Sequence, residues 1–264
     1  MRQLSNDPVD DWLVEAFGRL DIQAKLLFKS TTDNQPHTNN WADNEKSLTL
    51  KSLHEARQQL DSLISESYRL QRWARNADSS ANVSLLFQAL SAQQRLQRAL
   101  TSWLQAYRTW RTTPPRPSLQ SLHSPQEQVA QRLLLVYHTM ASIITATALY
   151  PGDETVFDHY DLQFASIIAS SKEIVQIYNP ATPRDPRSHA HCTQHFTFTS
   201  DLGLIPVLYY TALKCRDPQM RRDAVSMLAT KTRQEGIWEG PIVALIAAEV
   251  IRLEETPYSE QGET

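Results

Sequence analysis

The sequence has 264 residues, of which 41% are hydrophobic and 21% are charged, a composition ordinary for a globular protein with a sizeable core. Only six residues are glycine, and the helix formers Leu, Ala, Gln and Arg dominate instead. Because all-β and dinucleotide-binding folds depend on glycine-rich tight turns, this balance predicts an all-α fold. The net charge of −3 excludes an overall electrostatic footprint for nucleic acid.

The two cysteines, Cys192 and Cys215, are too few for a disulfide framework or a four-cysteine zinc site, and they suit a reducing, intracellular compartment. Residues 1–12 carry three aspartates before any apolar run, so they do not resemble a signal peptide. The most apolar stretch, residues 133–150, falls short of the roughly 20 apolar residues of a membrane span. We therefore expect a buried core helix there and no membrane partner.

The first half of the chain predicts three helices. Asp7-Pro8 has the residue types of a helix start. The apolar residues that follow it at helical spacing are Leu13, Phe17, Leu20, Ala24 and Leu27. Residues 31–46 predict a polar loop before two long helices. Their predicted apolar faces are Leu53, Leu60, Leu63, Ser67 and Leu70 in one, and Leu86, Leu90, Leu96, Leu100, Leu104 and Tyr107 in the other.

The second half predicts a central apolar helix over 126–149 and a chain of shorter ones. Asp153 is expected to cap the next helix, which Asn179-Pro180 ends. The last three helices are expected to open at Ser200-Asp201, Asp217-Pro218 and Gly240-Pro241. No period-two run is long enough to predict a sheet.

These patterns predict a multi-helix bundle of roughly eight helices with proline-rich connecting loops. We expect an N-terminal helical part over 1–111, a proline-rich linker over 112–125 and a C-terminal helical part over 126–256. The two helical parts are expected to pack together as one domain, and residues 257–264 form a tail.

Four histidine and cysteine side chains stand close together in one predicted loop, at His189, His191, Cys192 and His195. Imidazole and thiolate are zinc and copper ligands. Structural zinc sites usually pair ligands from two elements, however, and no second ligand pair follows. We therefore interpret this cluster as a histidine-rich polar loop and predict no metal site in the chain.

Other chemical candidates have structural interpretations. Cys215 precedes the Asp217-Pro218 helix start and ends a predicted helix, where the helix dipole raises a thiol pKa, so packing is its expected role. The acidic residues that resemble a metal-ligand or acid-pair set are Asp153, Glu154, Asp158 and Asp161. The dipole alone favours such residues in the first turns of a helix. Nucleophile-elbow and phosphate-loop motifs are absent from the sequence, so we predict no catalytic or cofactor-binding residues and no enzyme activity.

Arginines occupy the predicted outer faces of the two long helices, at Arg69, Arg72, Arg75, Arg95 and Arg98. A basic stripe of this kind would suit nucleic acid. Acidic residues interleave with it on and after the first helix, at Glu55, Asp61, Glu66 and Asp78. This mixture favours a solvated surface of both charge signs over a nucleic-acid interface.

Two segments of the last third are more specific: FTFTSDLGLIPVLYYTALKCRDPQMRRDAVSML over 196–228 and RQEGIWEG over 233–240. They resemble the C-terminal region of fungal zinc binuclear cluster transcription factors, in which a GLIP, LY, TA, KCRDP and RR pattern precedes a short element with Gly, Trp and Gly. GRLDIQ over 18–23, and residues 133–142 with Tyr137 and His138, are similar to further helices of that family.

This resemblance implies an all-helical regulatory region that acts in the nucleus through protein partners of the transcription machinery or as a homodimer. The six-cysteine zinc module with which that family binds DNA is not in this sequence. Zinc is therefore expected only if an upstream cysteine cluster exists, and DNA contact is expected to be indirect or through such a module. The chain is expected to be either part of a longer protein or a relative without the cluster, and its target gene set is expected to be metabolic or biosynthetic.

Two alternatives from other classes remain open. A small-molecule-binding or enzymatic helical domain would bring together His138, Tyr160 and the histidine-rich loop in one deep pocket. A purely structural dimerisation domain would use the apolar helices, and its solution mass would exceed that of the monomer.

Overall fold

The computed structural model describes residues 48–76, 83–113, 124–178, 197–199, 203–229, 233–235 and 238–256. The α-helices of these ranges are α1 (Leu53–Asn76), α2 (Val83–Thr112), α3 (Pro125–Thr147), α4 (Asp161–Tyr178), α5 (Ile205–Lys214), α6 (Pro218–Ala229) and α7 (Gly240–Glu255). A 3-10 helix, Glu154–Tyr160, precedes α4. The strands are β1 (Thr197–Thr199), β2 (Arg233–Glu235) and β3 (Trp238–Glu239).

Helices α1, α2 and α3 pack against one another through large buried side chains. Trp103 of α2 is fully buried and donates its indole N–H to the Ala56 carbonyl of α1 at 2.9 Å. One turn further on, the Tyr107 hydroxyl donates to the Gln131 carbonyl of α3 at 2.9 Å. Because both aromatic side chains have a polar atom that needs a partner in the core, these two bonds fix how far each helix is displaced along its neighbour.

A polar seam crosses the same three helices near their other end. The Ser67 and Thr145 hydroxyl groups lie 2.7 Å apart between α1 and α3. The carbonyls of Leu63 and Ala141 lie 2.7 and 2.8 Å from the same two hydroxyls, so one hydroxyl donates to the other and that second hydroxyl donates to the carbonyl of its own helix. The Gln93 amide of α2 donates to the Thr145 carbonyl at 2.9 Å and to the Ala146 carbonyl at 3.0 Å. A buried polar group is costly unless it is satisfied, so the seam favours one helix register over its neighbours.

The last helices form a second layer, in which α5 packs on α3 and α4 and α6 packs on α4. Helices α5, α6 and α7 contact one another, and the small sheet runs beside them in the order β1-β2-β3. Strand β1 is parallel to β2, with Thr197 opposite Arg233, and β3 is antiparallel to β2, with Trp238 opposite Glu235. The buried side chains of both layers belong to one continuous hydrophobic core.

The predicted all-α class is confirmed, and several predicted boundaries change. The described ranges hold seven α-helices rather than eight, and the predicted helix after Asp7-Pro8 lies outside them. The three strands were not predicted from the sequence. Strands of two or three residues are too short to show a detectable alternation of apolar and polar residues. Thr112 ends α2 and Pro125 begins α3 after the Ser124 cap. The division of the chain into parts stays a prediction.

The predicted core face of α2 is wrong at its N-terminal end. Leu86 and Leu90 are 51% and 42% exposed, whereas Ala89 and Gln93 are buried. Leucine spacing alone did not separate two adjacent apolar faces of this helix. The face that Leu86 and Leu90 share has no neighbouring helix among the described residues.

Candidate functional site

The sequence-predicted polar candidates lie partly inside and partly outside the described residues. His189, His191, Cys192 and His195 lie outside the described residues. Among the residues that the structure describes, no group of three or more His, Cys, Asp or Glu side chains is placed to hold a metal ion. In the same ranges no helix is both long and apolar enough to cross a membrane.

The acidic residues at the 3-10 helix bind partners within the fold, as their structural interpretation predicts. Asp153 accepts the Thr155 N–H at 3.0 Å and the Thr155 hydroxyl at 2.6 Å, and these bonds lower its pKa. Glu154 pairs with Lys214 at 2.7 Å, and Asp158 pairs with Arg216 at 2.8 Å. These exposed ion pairs connect the 3-10 helix to the end of α5, and Asp161 is the first residue of α4.

Cys215 and His138 are both buried, and each has a packing role. Burial raises the pKa of the Cys215 thiol to about 11, so the main cause is desolvation rather than the helix dipole that the sequence suggested. His138 lies 5.4 Å from the Trp103 ring in a stacked arrangement, and its Nε2 is 3.0 Å from the Leu100 carbonyl oxygen. Burial lowers the His138 pKa, so the folded protein holds a neutral imidazole that donates to Leu100.

Tyr160 lies away from His138, at the end of the 3-10 helix. Burial and the nearby Tyr150, which follows α3, raise its pKa, whereas His138 faces α2 in the middle of α3. The pocket that would combine His138 with Tyr160 is therefore not formed by these two residues.

The arginines of the two long helices divide into two environments. On α1, Arg69 pairs with Glu66 at 2.7 Å and Arg57 lies 4.0 Å from Asp61. Both charge signs occur there as predicted, but the Arg69 and Glu66 side chains are only 18% and 15% exposed, so this pair is not on the solvated surface that was expected. Helix α2 differs, because its 30 residues include four arginines and no acidic residue. Arg98 is exposed on this helix, so α2 presents a basic outer surface.

A buried carboxylate that the sequence did not single out joins β2 to α5. Glu235 is 0% exposed. Its Oε1 accepts the Leu204 N–H at 3.1 Å and its Oε2 accepts the Ile205 N–H at 2.8 Å. These are free N–H groups at the start of α5, where a negative charge is also favoured by the helix dipole. Glu235 therefore caps a helix that begins 30 residues earlier in the chain.

The position of the Glu235 carboxylate explains why residue 203 is a glycine. A Cβ built on Gly203 would lie 2.0 Å from Glu235 Oε1 and 2.1 Å from its Cδ, so only glycine leaves room for the carboxylate. The Gly203 carbonyl accepts the Tyr137 hydroxyl at 2.9 Å, which ties the same loop to α3. Burial, followed by the Glu235 charge, raises the Tyr137 pKa, so this hydroxyl stays a donor.

Two residues within the segments that carry the family resemblance are buried in the fold. Trp238 is fully buried and packs its ring 5.5 Å from Tyr209 in an edge-on arrangement. Arg221 is also buried, although its side chain is charged. Its guanidinium donates to the Ala212 carbonyl at 2.8 Å and to Glu254 at 2.6 Å, which joins α6 to α5 and α7.

The opening of α5 also corrects a prediction. The helix begins at Ile205, not at the expected Ser200-Asp201 start, and Leu204 at its N-cap makes no side-chain capping bond. The neighbouring start at Asp217-Pro218 is confirmed, since Asp217 Oδ1 accepts the Met220 N–H at 2.7 Å.

Two helix faces expose groups of large apolar side chains. The first is the N-terminal end of α2, with Val83, Leu86, Phe87 and Leu90, and we call it the α2 apolar face. The second is the outer side of α7, with Ile242, Leu245, Ile246 and Leu253, and we call it the α7 apolar face. Contiguous exposed apolar groups are typical of interaction sites, so these faces, rather than a pocket, are the candidate functional surfaces.

Comparison with known proteins gives one partial similarity. No family model matches the chain, and no solved structure matches it. The aspercryptin biosynthesis cluster-specific transcription regulator atnN of Emericella nidulans is 32% identical over 78 residues. The matched stretch is 30% of this chain and 12% of the regulator, so the chain matches a small share of that relative's length. The similarity is to a transcription regulator and not to an enzyme, and it supports a regulator-like role in general.

Proposed function

We propose that this chain is the helical regulatory region of a fungal transcription regulator and controls gene expression in the nucleus through protein contacts. Its support is the resemblance over 196–240 together with the similarity to a cluster-specific transcription regulator. The genes it controls are metabolic or biosynthetic in this proposal. The support is the similar regulator, whose name describes it as specific for a biosynthesis cluster. The region performs no catalysis.

The observation that carries this proposal is the structural role of residues in the segments 196–228 and 233–240, which resemble the fungal family. Glu235 caps α5, Trp238 fills the core beside it, and Arg221 joins three helices. All three side chains are buried. They build a scaffold rather than a reaction centre, which suits a region whose output is binding. Its contacts are then made by the exposed apolar face of α7.

DNA is reached indirectly in this proposal. The chain has two cysteines, and a six-cysteine zinc module cannot be built from them. An N-terminal module in a longer protein, or a DNA-bound protein partner, supplies the sequence recognition. The chain itself holds no zinc or other cofactor in this proposal.

A tethering experiment tests the proposal. The chain is fused to a heterologous DNA-binding domain in a fungal host, and reporter output is compared with that of the DNA-binding domain alone. We expect output to rise or fall, and to return to baseline when Ile144→Asp places a charge at a fully buried position of α3. Leu245→Asp changes an exposed side chain of the α7 apolar face, so the chain should stay folded while reporter output returns to baseline. This variant distinguishes loss of a partner contact from loss of the fold. Unchanged output across several growth conditions contradicts the proposal.

Homodimerisation through α7 is the alternative that a specific observation favours. The α7 apolar face also holds Glu249 and Arg252, which pair at 2.7 Å. A face with both charge signs and an apolar stripe is self-complementary across a two-fold axis. Sedimentation would then give a mass above 30.1 kDa that Leu245→Asp returns to the monomer value. A monomer mass at high protein concentration removes this alternative.

A further inference from the structure

The α2 apolar face is a separate surface from the side of α2 that enters the core. Ala89, Leu96 and Trp103 point into the bundle. Val83, Leu86, Phe87 and Leu90 follow one another at i, i+3, i+4 and i+7, so they form a stripe that lies roughly 130° around the helix from the buried one, at 3.6 residues per turn. Val83 is 81% exposed and Phe87 is 71% exposed. A stripe of this spacing is the shape that a second amphipathic helix matches.

The charge of α2 indicates which kind of helix would pair with it. The four arginines of α2 are Arg95, Arg98, Arg108 and Arg111. With no acidic residue in its 30 residues, the helix attracts a partner that carries both apolar and acidic side chains.

One segment of this chain has that composition. Residues 7–21 hold five acidic residues and one arginine, namely Asp7, Asp10, Asp11, Glu15, Asp21 and Arg19. The same segment has apolar residues at helical spacing, namely Val9, Leu13, Phe17 and Leu20. The segment thus matches the α2 apolar face in apolar spacing, and its negative charge is opposite to the charge of α2 as a whole.

The connecting chain is long enough for the two to meet. Helices α1 and α2 are antiparallel, because Trp103 in the second half of α2 bonds Ala56 at the start of α1. The α2 apolar face therefore lies near the far end of α1, whose 24 residues are about 36 Å long. The 26 residues from 22 to 47 reach roughly 90 Å when extended, so they span this distance with slack.

We propose that residues 7–21 dock as an acidic amphipathic helix on the α2 apolar face of the same chain. Val9, Leu13, Phe17 and Leu20 cover Leu86, Phe87 and their neighbours, and the carboxylates lie within the field of Arg95 and Arg98, the α2 arginines nearest to this face. The segment is tethered, so its effective concentration near the face is high and a modest contact area is sufficient. This inference does not depend on the regulatory role, because it concerns the chain alone.

Hydrogen–deuterium exchange of the full-length chain tests the docking. In the unmodified protein we expect the amides of residues 9–20 to exchange at least about tenfold more slowly than an unstructured peptide, which corresponds to about 1.4 kcal/mol of docking free energy. The double variant Phe87→Asp, Leu90→Asp should return these amides to the peptide rate, since it places charges of the same sign against the acidic segment. Both altered side chains are exposed, so the core should keep its protection.

The matched control is Leu245→Asp, Leu253→Asp, which makes the same change on the α7 apolar face and should leave residues 9–20 protected. Peptide-like exchange of residues 9–20 in the unmodified protein overturns the proposal. Equal protection in both double variants also overturns it. Protection that appears only at high protein concentration, with a doubled solution mass, shows docking on a second copy and overturns the intramolecular form. None of these outcomes involves transcription, so they are independent of the tethering result.

Discussion

Replacing Glu235 by glutamine tests the buried cap at the start of α5. The carboxylate accepts two backbone N–H groups at 3.1 and 2.8 Å and is fully buried. A glutamine side chain keeps one acceptor oxygen, but its NH₂ group faces the other N–H donor. Each hydrogen bond to a charged group is worth about 1.5–3 kcal/mol, and a charge at a helix N-terminus adds up to about 2 kcal/mol when it is partly buried. Loss of one hydrogen bond and of the charge should therefore lower the free energy of unfolding by about 3 kcal/mol.

The assay is denaturant and thermal unfolding of the unmodified chain and the Glu235→Gln variant. About 3 kcal/mol corresponds to a melting temperature lower by roughly 6–12 °C for a domain of this size. Glu239→Gln is the matched control, because Glu239 lies in the neighbouring strand and is exposed, and it should change stability by less than about 0.5 kcal/mol. Equal stability of the two variants would refute the capping role of Glu235.

Gly203→Ala extends the same test to the facing backbone. Its Cβ would overlap the Glu235 carboxylate at 2.0 Å, so we expect a loss of about 1–3 kcal/mol, as for overpacked cores. In a Glu235→Ala background the clash disappears, and the cost of Gly203→Ala should fall by at least about 1 kcal/mol in a double-mutant cycle. Strict additivity of the two changes would show that they do not act through this contact.

Three further predictions concern single buried groups. Arg221→Met should destabilise the chain by about 2–4 kcal/mol, because it leaves the Ala212 carbonyl without its donor, whereas Arg222→Met at the exposed neighbour should cost less than about 0.5 kcal/mol in the same unfolding assay. Burial holds the pKa of His138 in the folded chain below the ordinary histidine value of about 6.5, so the unfolded chain binds the proton more readily. The free energy of unfolding therefore decreases as the pH falls below about 6.5. Unfolding free energies at pH 7.5 and 5.5 should therefore differ less in His138→Gln than in the unmodified chain, while His159→Gln at an exposed position should leave the difference unchanged. In a variant without the other cysteine, the Cys215 thiol should resist maleimide at pH 8 until denaturant is added, since a thiol with a pKa of about 11 is about 0.1% thiolate at that pH; rapid labelling of the folded protein would contradict its burial.

Much of the local structure was predictable because it depends on neighbouring residues. Proline fixes the backbone for a first helical turn, and aspartate accepts free N–H groups, so Asp217-Pro218 and Gly240-Pro241 mark helix starts in the sequence and in the structure. The central helix was predicted to within two residues at each end. The all-α class follows from the same local preferences, summed over the chain.

Tertiary structure decided which of these local features face one another. Helical spacing shows that Leu86 and Leu90 share a face, but it does not show whether a neighbouring helix covers that face. A short strand such as β2 has no periodicity, and a glutamate within it looks like any surface residue until Leu204 and Ile205 are brought to it from 30 residues away. Arg221 is similar, since burial of its charge depends on a carbonyl of α5 and a carboxylate of α7. Sequence preferences are short-range, whereas the burial of a charge or the exposure of an apolar face depends on distant segments meeting, and only the folded chain supplies that information.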